Sequence, residues 1–210
     1  MKQKLSGEIF LQLLKKFYER YKNWIIGIGT VLIISIVLAV IIVFRIKQTK
    51  EYVSQRIIIA ESYIYQKNFN EAYKILDEII SHYKNSKYAG YAMYLKANAL
   101  YDNNDFDKVK QICIDFLKLK KPKSVVVPMM YILGQSYVAL NDLDNAIKVF
   151  SDITQKYVEH YYTPRVYESL AFCYELKGDT QSSKSIYEKM NILYPNSYWS
   201  NIAQQKLANK

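Results

Sequence analysis

The residues with reactive side chains are few: two histidines, His82 and His160, and two cysteines, Cys113 and Cys173. A metal site or a nucleophile with its base needs several such groups at a set spacing. The histidines lie far apart, with no Cys or carboxylate pattern around them, and the cysteines are 60 residues apart. No Gly-rich phosphate loop, nucleophile elbow or dinucleotide fingerprint occurs. The reading is therefore of a chain with no catalytic residues, no metal, no cofactor and no small-molecule substrate. Two chemistries of recognition remain. Twenty-one tyrosines supply flat apolar rings with one polar tip. A net charge of +10, from 29 Lys and Arg against 19 Asp and Glu, suits an anionic partner. With no base-reading motif beside the charge, nucleic acid is not the partner expected.

What positions these residues is a repeat of 37. At that offset Ala60, Ala97, Gly134 and Ala171 superpose, as do Tyr63, Leu100, Tyr137 and Tyr174, and Ala72, Val109, Ala146 and Ser183. Leu76, Cys113, Phe150 and Tyr187 follow, then Ile79, Phe116, Ile153 and Met190. A small residue where two helices cross, with large apolar residues three or four positions on, is the pattern of a helical hairpin. In each unit Asn104, Asn141 and Gly178 suit a left-handed end to the first helix, a series that Lys67 breaks; Asn70, Asp107 and Asp144 suit the cap of the second, a series that Gln181 breaks.

Leu133-Gly134, Tyr137, Ala146 and Phe150 resemble the tetratricopeptide signature of Leu-Gly, Tyr, Ala and Phe, with Tyr167 and Pro195 as further signature residues. The resemblance implies an all-α chain whose 45–210 segment is a solenoid of four hairpins. They fall at about 50–86, 87–123, 124–160 and 161–196, with a capping helix over 197–209. The family period is about 34 residues, so the extra three predict nearly one added helical turn at the join between units. In such arrays the first helices line a concave face where peptides dock. Carried over, those positions are Ile57, Glu61, Ile64 and Tyr65, then Tyr91, Tyr94, Asn98 and Tyr101. The third copy gives Tyr131, Gln135 and Val138, and the fourth Arg165, Glu168, Phe172 and Glu175. Either these rings contact a partner, Tyr94, Tyr101, Tyr131 and Phe172 first, or they pack between neighbouring helices. Lys108, Lys110, Lys118, Lys120, Lys121 and Lys123 form a basic patch that is either a solvated face or a surface for anionic lipid or acidic protein.

Before the repeats, residues 24–44, WIIGIGTVLIISIVLAVIIVF, hold no charge, and a helix of that length covers the roughly 30 Å hydrocarbon layer. The apolar run passes directly into Arg45, which predicts a retained anchor rather than a cleaved signal. Six basic residues precede it (Lys2, Lys4, Lys15, Lys16, Arg20, Lys22) and four follow (Arg45, Lys47, Lys50, Arg56), favouring a cytoplasmic N-terminus. Residues 1–23 read as a basic amphipathic segment, with Lys15, Lys16, Arg20 and Lys22 facing the membrane, or as a helix that leads into the span.

The stretch LLKKFYERYKNWIIGIGTVLI, one span, then tetratricopeptide hairpins, resembles the bacterial ancillary Sec-translocon subunit family. That resemblance implies an inner-membrane protein with its repeats in the periplasm, whose partners are the Sec translocon and periplasmic chaperones. The closing YPNSYWSNIAQQKL is also similar to repeat proteins of outer-membrane protein assembly and of cell-division coordination. A docking receptor with cytosolic repeats is the further alternative.

Overall fold

The computed structural model describes residues 2–208, with side chains from residue 7 onward. Met1, Asn209 and Lys210, which the assigned segments include, lie outside the described residues, as do the side chains of Lys2 and Lys4. Every described element is helical. In chain order these are α1 (Lys2–Tyr65), α2 (Phe69–His82), α3 (Lys87–Asp102), α4 (Phe106–Leu119), α5 (Val126–Ala139) and α6 (Leu143–Lys156). Then come α7 (Thr163–Leu176), α8 (Thr180–Leu193) and α9 (Tyr198–Ala208), and a 3-10 turn, Lys123–Val125, leads into α5. The chain divides into two units, residues 1–52 and 53–210.

Unit 1 is helix alone. An 18-residue stretch within it reaches a mean hydropathy of 3.1 with none of its surface buried, which makes this helix long and apolar enough to cross a membrane. Its two hydroxyls in the apolar run are satisfied by the helix itself. Thr30 Oγ1 donates to the Gly27 carbonyl and Ser35 Oγ to the Val31 carbonyl, each at 2.8 Å.

Unit 2 is an all-α tetratricopeptide-like solenoid of four hairpins with α9 after the last. Its core is the 37-residue register made solid: Ala60, Ala97 and Ala171 are fully buried, and Gly134 is buried at the equivalent place in the third hairpin. Against them stand Leu76, Cys113, Phe150 and Tyr187, all buried completely. At about 1.5–3 kcal/mol for each large apolar side chain removed from water, these pairs supply much of each hairpin's stability. Gly134 shows why the position must be small. A Cβ there would lie 2.3 Å from Phe150 Cε1, so the aromatic ring occupies the space a methyl would need. Both cysteines are buried free thiols, and burial pushes Cys113 up to about 12 and Cys173 to about 11.

The turn inside each hairpin repeats without a break. Lys67, Asn104, Asn141 and Gly178 all take a left-handed conformation, at φ 60°, 59°, 58° and 74°. Lys67 therefore continues the series despite its side chain, at a cost of roughly 1–2 kcal/mol relative to glycine. The next residue closes the turn: the N–H groups of Asn68, Asp105, Asp142 and Asp179 donate to carbonyls of Tyr63, Leu100, Tyr137 and Tyr174 at 2.8–2.9 Å. This is the Schellman closure of the first helix. The same four residues are the N-caps of α2, α4, α6 and α8. The expected caps Asn70, Asp107 and Asp144 are thus two residues too late. They stand in the first helical turn, because the chain reverses over three residues and the cap must follow the left-handed residue directly.

The three residues beyond the family period are not an added helical turn in every unit. Helix α3, at 16 residues, is two longer than α5 and α7, but the later joins hold their extra length as the turn over 120–125 and the irregular loop over 157–162.

Candidate functional site

Helices α3, α5 and α7 touch in succession, which brings their side chains onto one face of unit 2. There the Tyr91 and Tyr94 rings lie 6.1 Å apart. Tyr131 meets Tyr162 edge to face at 5.3 Å and Phe150 at 6.0 Å. Gln135 ties the next helix in: its Nε2 donates to Tyr131 Oη at 2.8 Å and to Ser169 Oγ at 2.9 Å. Asn98 Nδ2 donates to the Tyr94 carbonyl at 2.8 Å, back along its own helix. Tyr101 packs edge to face on Phe106 at 5.3 Å.

Each of these tyrosines is half-buried, with its ring against the core of the second and third hairpins. Burial raises Tyr91, with Glu61 and Tyr94 adding to it; burial raises Tyr101, helped by Tyr131 and Asp102. Tyr162 is raised by burial first, then by Tyr94 and Tyr161, while Arg165 opposes the shift. Their hydroxyls stay protonated at neutral pH and can both donate and accept. The surface is a row of fixed aromatic rings with polar tips, suited to apolar side chains and backbone amides of an extended or helical segment.

The expected groove residues divide in three ways. Tyr91, Tyr94, Asn98, Tyr101, Tyr131 and Gln135 come together as described. Arg165 is exposed beside Tyr162, and Phe172 stands 44% exposed on α7. Of the rest, Glu61 is close enough to act on Tyr91 and Tyr65 is exposed at the end of α1, while Ile57 and Ile64 pack into the core of the first hairpin and Val138 into that of the second and third. Glu168 and Glu175 direct their charge toward Tyr187 of α8. Glu175 also pairs with Lys206 of α9 at 3.4 Å, so the end helix draws it out of the groove. Tyr162 and Ser169 were not among the expected residues. For Tyr162 the signal was available, since Tyr88, Val125, Tyr162 and Trp199 fall in the 37-residue register.

Three lysines of the basic patch are spent locally, with Lys108, Lys110 and Lys118 bonded to Asp105, Asp107 and Asp115 at 2.6, 3.0 and 2.7 Å. Lys120, Lys121 and Lys123 are exposed. Among the described residues no group of three or more His, Cys, Asp or Glu is placed to hold a metal ion. In the N-terminal helix, Lys15, Lys16, Arg20 and Lys22 are all exposed, with the Arg20 guanidinium 5.8 Å from the Tyr21 ring.

Comparison with known proteins agrees with this architecture. The tetratricopeptide repeat family model matches residues 58–86, 129–160 and 168–197. These segments fall on the first, third and fourth hairpins. No curated protein sequence matches the chain. Among solved structures, a putative kinesin light chain of Podosopora anserina with nearly identical TPR-like repeats superposes with a TM-score of 0.60 at 15% identity, over 74% of this chain and 83% of that one. The apo form of RapI gives 0.63 at 12% identity, over 72% of this chain and 45% of its own. A MamA RS-1 double mutant gives 0.59 at 16% identity, over 75% and 84%. At these identities the likeness is one of fold.

Proposed function

We propose that this chain is a non-catalytic scaffold that binds a protein segment along the tyrosine face of α3, α5 and α7 while residues 24–44 hold it in a membrane. The observation that carries the reading is the cluster of Tyr91, Tyr94, Tyr101, Tyr131 and Tyr162, whose rings are held half-buried against the core of the second and third hairpins. Tetratricopeptide arrays are interaction scaffolds that use such faces, and aromatic rings held in place contribute area at little entropic cost. The basic residues before the span outnumber those after it, which favours a cytoplasmic N-terminus and repeats at the outer face of a bacterial inner membrane. The resemblance of residues 13–66 to the ancillary Sec-translocon subunit supports a role in secretory protein translocation, or in handover to periplasmic chaperones.

Two experiments test the reading. Joint Tyr94→Ala and Tyr131→Ala substitution should weaken capture of photo-crosslinked partners about tenfold or more while helicity stays unchanged; unaltered capture refutes the groove. Protease added to spheroplasts should digest the repeats of a C-terminally tagged chain. Protection until lysis would place the repeats in the cytosol and make the chain a cytosolic docking receptor.

A further inference from the structure

We infer that unit 2 carries a second binding surface, for anionic lipid headgroups, along the edge formed by the turns between hairpins. The inference rests on the reading of residues 24–44 as a membrane span.

Successive helices joined by three-residue turns run antiparallel, so the turns of unit 2 fall on two opposite edges. One edge holds the turns within hairpins, at 66–68, 103–105, 140–142 and 177–179; the other holds the joins between them, at 83–86, 120–125, 157–162 and 194–197. The Arg56–Glu78 ion pair marks the register of the first hairpin, since each partner lies ten positions from the near end of the turn at 66–68. Val53, where unit 2 begins, is therefore level with Ser81 and belongs to the edge of joins. The chain leading from the span enters unit 2 at that edge.

The two edges differ in chemistry. The within-hairpin edge mixes both signs: Asp105, Asp142 and Asp179, with Asp102, Asp107 and Asp144 beside them, stand among Lys67, Lys108 and Lys177, and Lys108 and Lys177 are paired with Asp105 and Asp144. The edge of joins presents Lys84, Lys87, Lys120, Lys121 and Lys123, all exposed and none among the ion pairs of the described residues. Folding gathers the lysines of the first two joins. Lys84 and Lys121 line one cleft of about 840 Å³ together with Asp77 and Asp115, whose charges are already taken by Lys96 and Lys118. The Lys121 carbonyl lies where a Cβ on Gly90 would stand, 1.5 Å away, so the second join sits on the first turn of α3 beside Lys87.

The later joins carry one carboxylate, the exposed Glu159, and otherwise continue this edge with exposed apolar and aromatic side chains beside Asn196. Tyr161 is 74% exposed, Tyr198 70% and Ile192 76%, with Val158 and Leu193 exposed near them. Lysines for phosphate, followed by tyrosines and aliphatic groups for the region between headgroup and acyl chain, match an anionic membrane interface better than an acidic protein. The tether favours the same occupant. Residues 45–52 reach at most about 28 Å even fully extended, so lipid around the span stays at high effective concentration.

The test uses the full chain reconstituted into vesicles of phosphatidylcholine alone, or of phosphatidylcholine with about a third phosphatidylglycerol. Insertion is read by resistance to alkaline carbonate. The acetylation rate of each lysine is read by mass spectrometry. With phosphatidylglycerol present, Lys84, Lys87, Lys120, Lys121 and Lys123 should react about fivefold more slowly, while Lys67 on the opposite edge and Lys148 in mid-helix keep their rates; high salt should abolish the difference. Insertion with equal rates in both vesicles overturns the inference and leaves the span standing. Loss by carbonate overturns the span and the inference with it. Protection that appears only on adding an acidic polypeptide also overturns it, and assigns the edge to protein.

Discussion

The crossing of α5 and α6 gives a sharp test of how the repeats are packed. Gly134→Ala places a methyl 2.3 Å from Phe150 Cε1 and 2.6 Å from Cζ, against the 3.5–4.0 Å of ordinary carbon contact. Phe150 is fully buried and its ring already abuts Tyr131 at 6.0 Å, so it must push on the tyrosine face or force the helices apart. Such overpacking costs about 1–3 kcal/mol, while replacing a mid-helix glycine returns about 1 kcal/mol. The expected net loss is about 1 kcal/mol, a fall of about 2–4 °C in Tm for a chain of this size. Phe150→Leu alone opens a cavity and should cost about 1 kcal/mol or more. The double variant, however, recreates Ala against Leu, the pair this chain already uses at Ala60 and Leu76. It should be no less stable than Phe150→Leu alone, which is a coupling of about 1 kcal/mol or more. Thermal unfolding of the full chain in detergent, followed by circular dichroism, measures all four corners of the cycle. Additive effects would refute the claim that this glycine is small because of this ring.

Lys67→Gly removes the side chain from a left-handed residue and should raise stability by about 1 kcal/mol, whereas Gly178→Ala at φ 74° should lower it by a similar amount; thermal melts of both variants check the pair of signs. Hydrogen bonds from Ser182 hold the Asp179 carboxyl below its ordinary range. Its contribution is therefore fully present above the unfolded value near about 4 and is lost as pH falls through the lower folded value. Asp179→Asn should flatten that acid limb of a pH-dependent melt relative to wild type.

The solenoid and its core were legible because a period of 37 constrains every copy at once, and Ala60, Ala97, Gly134 and Ala171 are all buried as the crossing demands. The caps were misplaced for an instructive reason. Residue type alone points to Asn70, Asp107 and Asp144, and only the three-residue turn moves the N-cap position to Asn68, Asp105, Asp142 and Asp179, of which the Asp142 and Asp179 side chains accept a helix N–H. Whether extra residues become helix or loop depends on what each join packs against, such as α3 under Lys121, and no local pattern carries that. The same holds for Glu175, whose direction is set by Lys206, distant in sequence and brought close only by the end helix.

The four turns inside the hairpins share one length and one Schellman closure, while the joins range from four residues at 83–86 to six at 157–162. Mechanically, unit 2 is a row of stiff links on unequal joints. A pull between its two ends is borne first by the longer joints, which can extend without breaking any Schellman closure, and neighbouring links then separate with each hairpin still whole. Compliance is therefore written into loop length, hairpin by hairpin, and a change in the joins would alter how the array yields under load without altering what any single hairpin recognises.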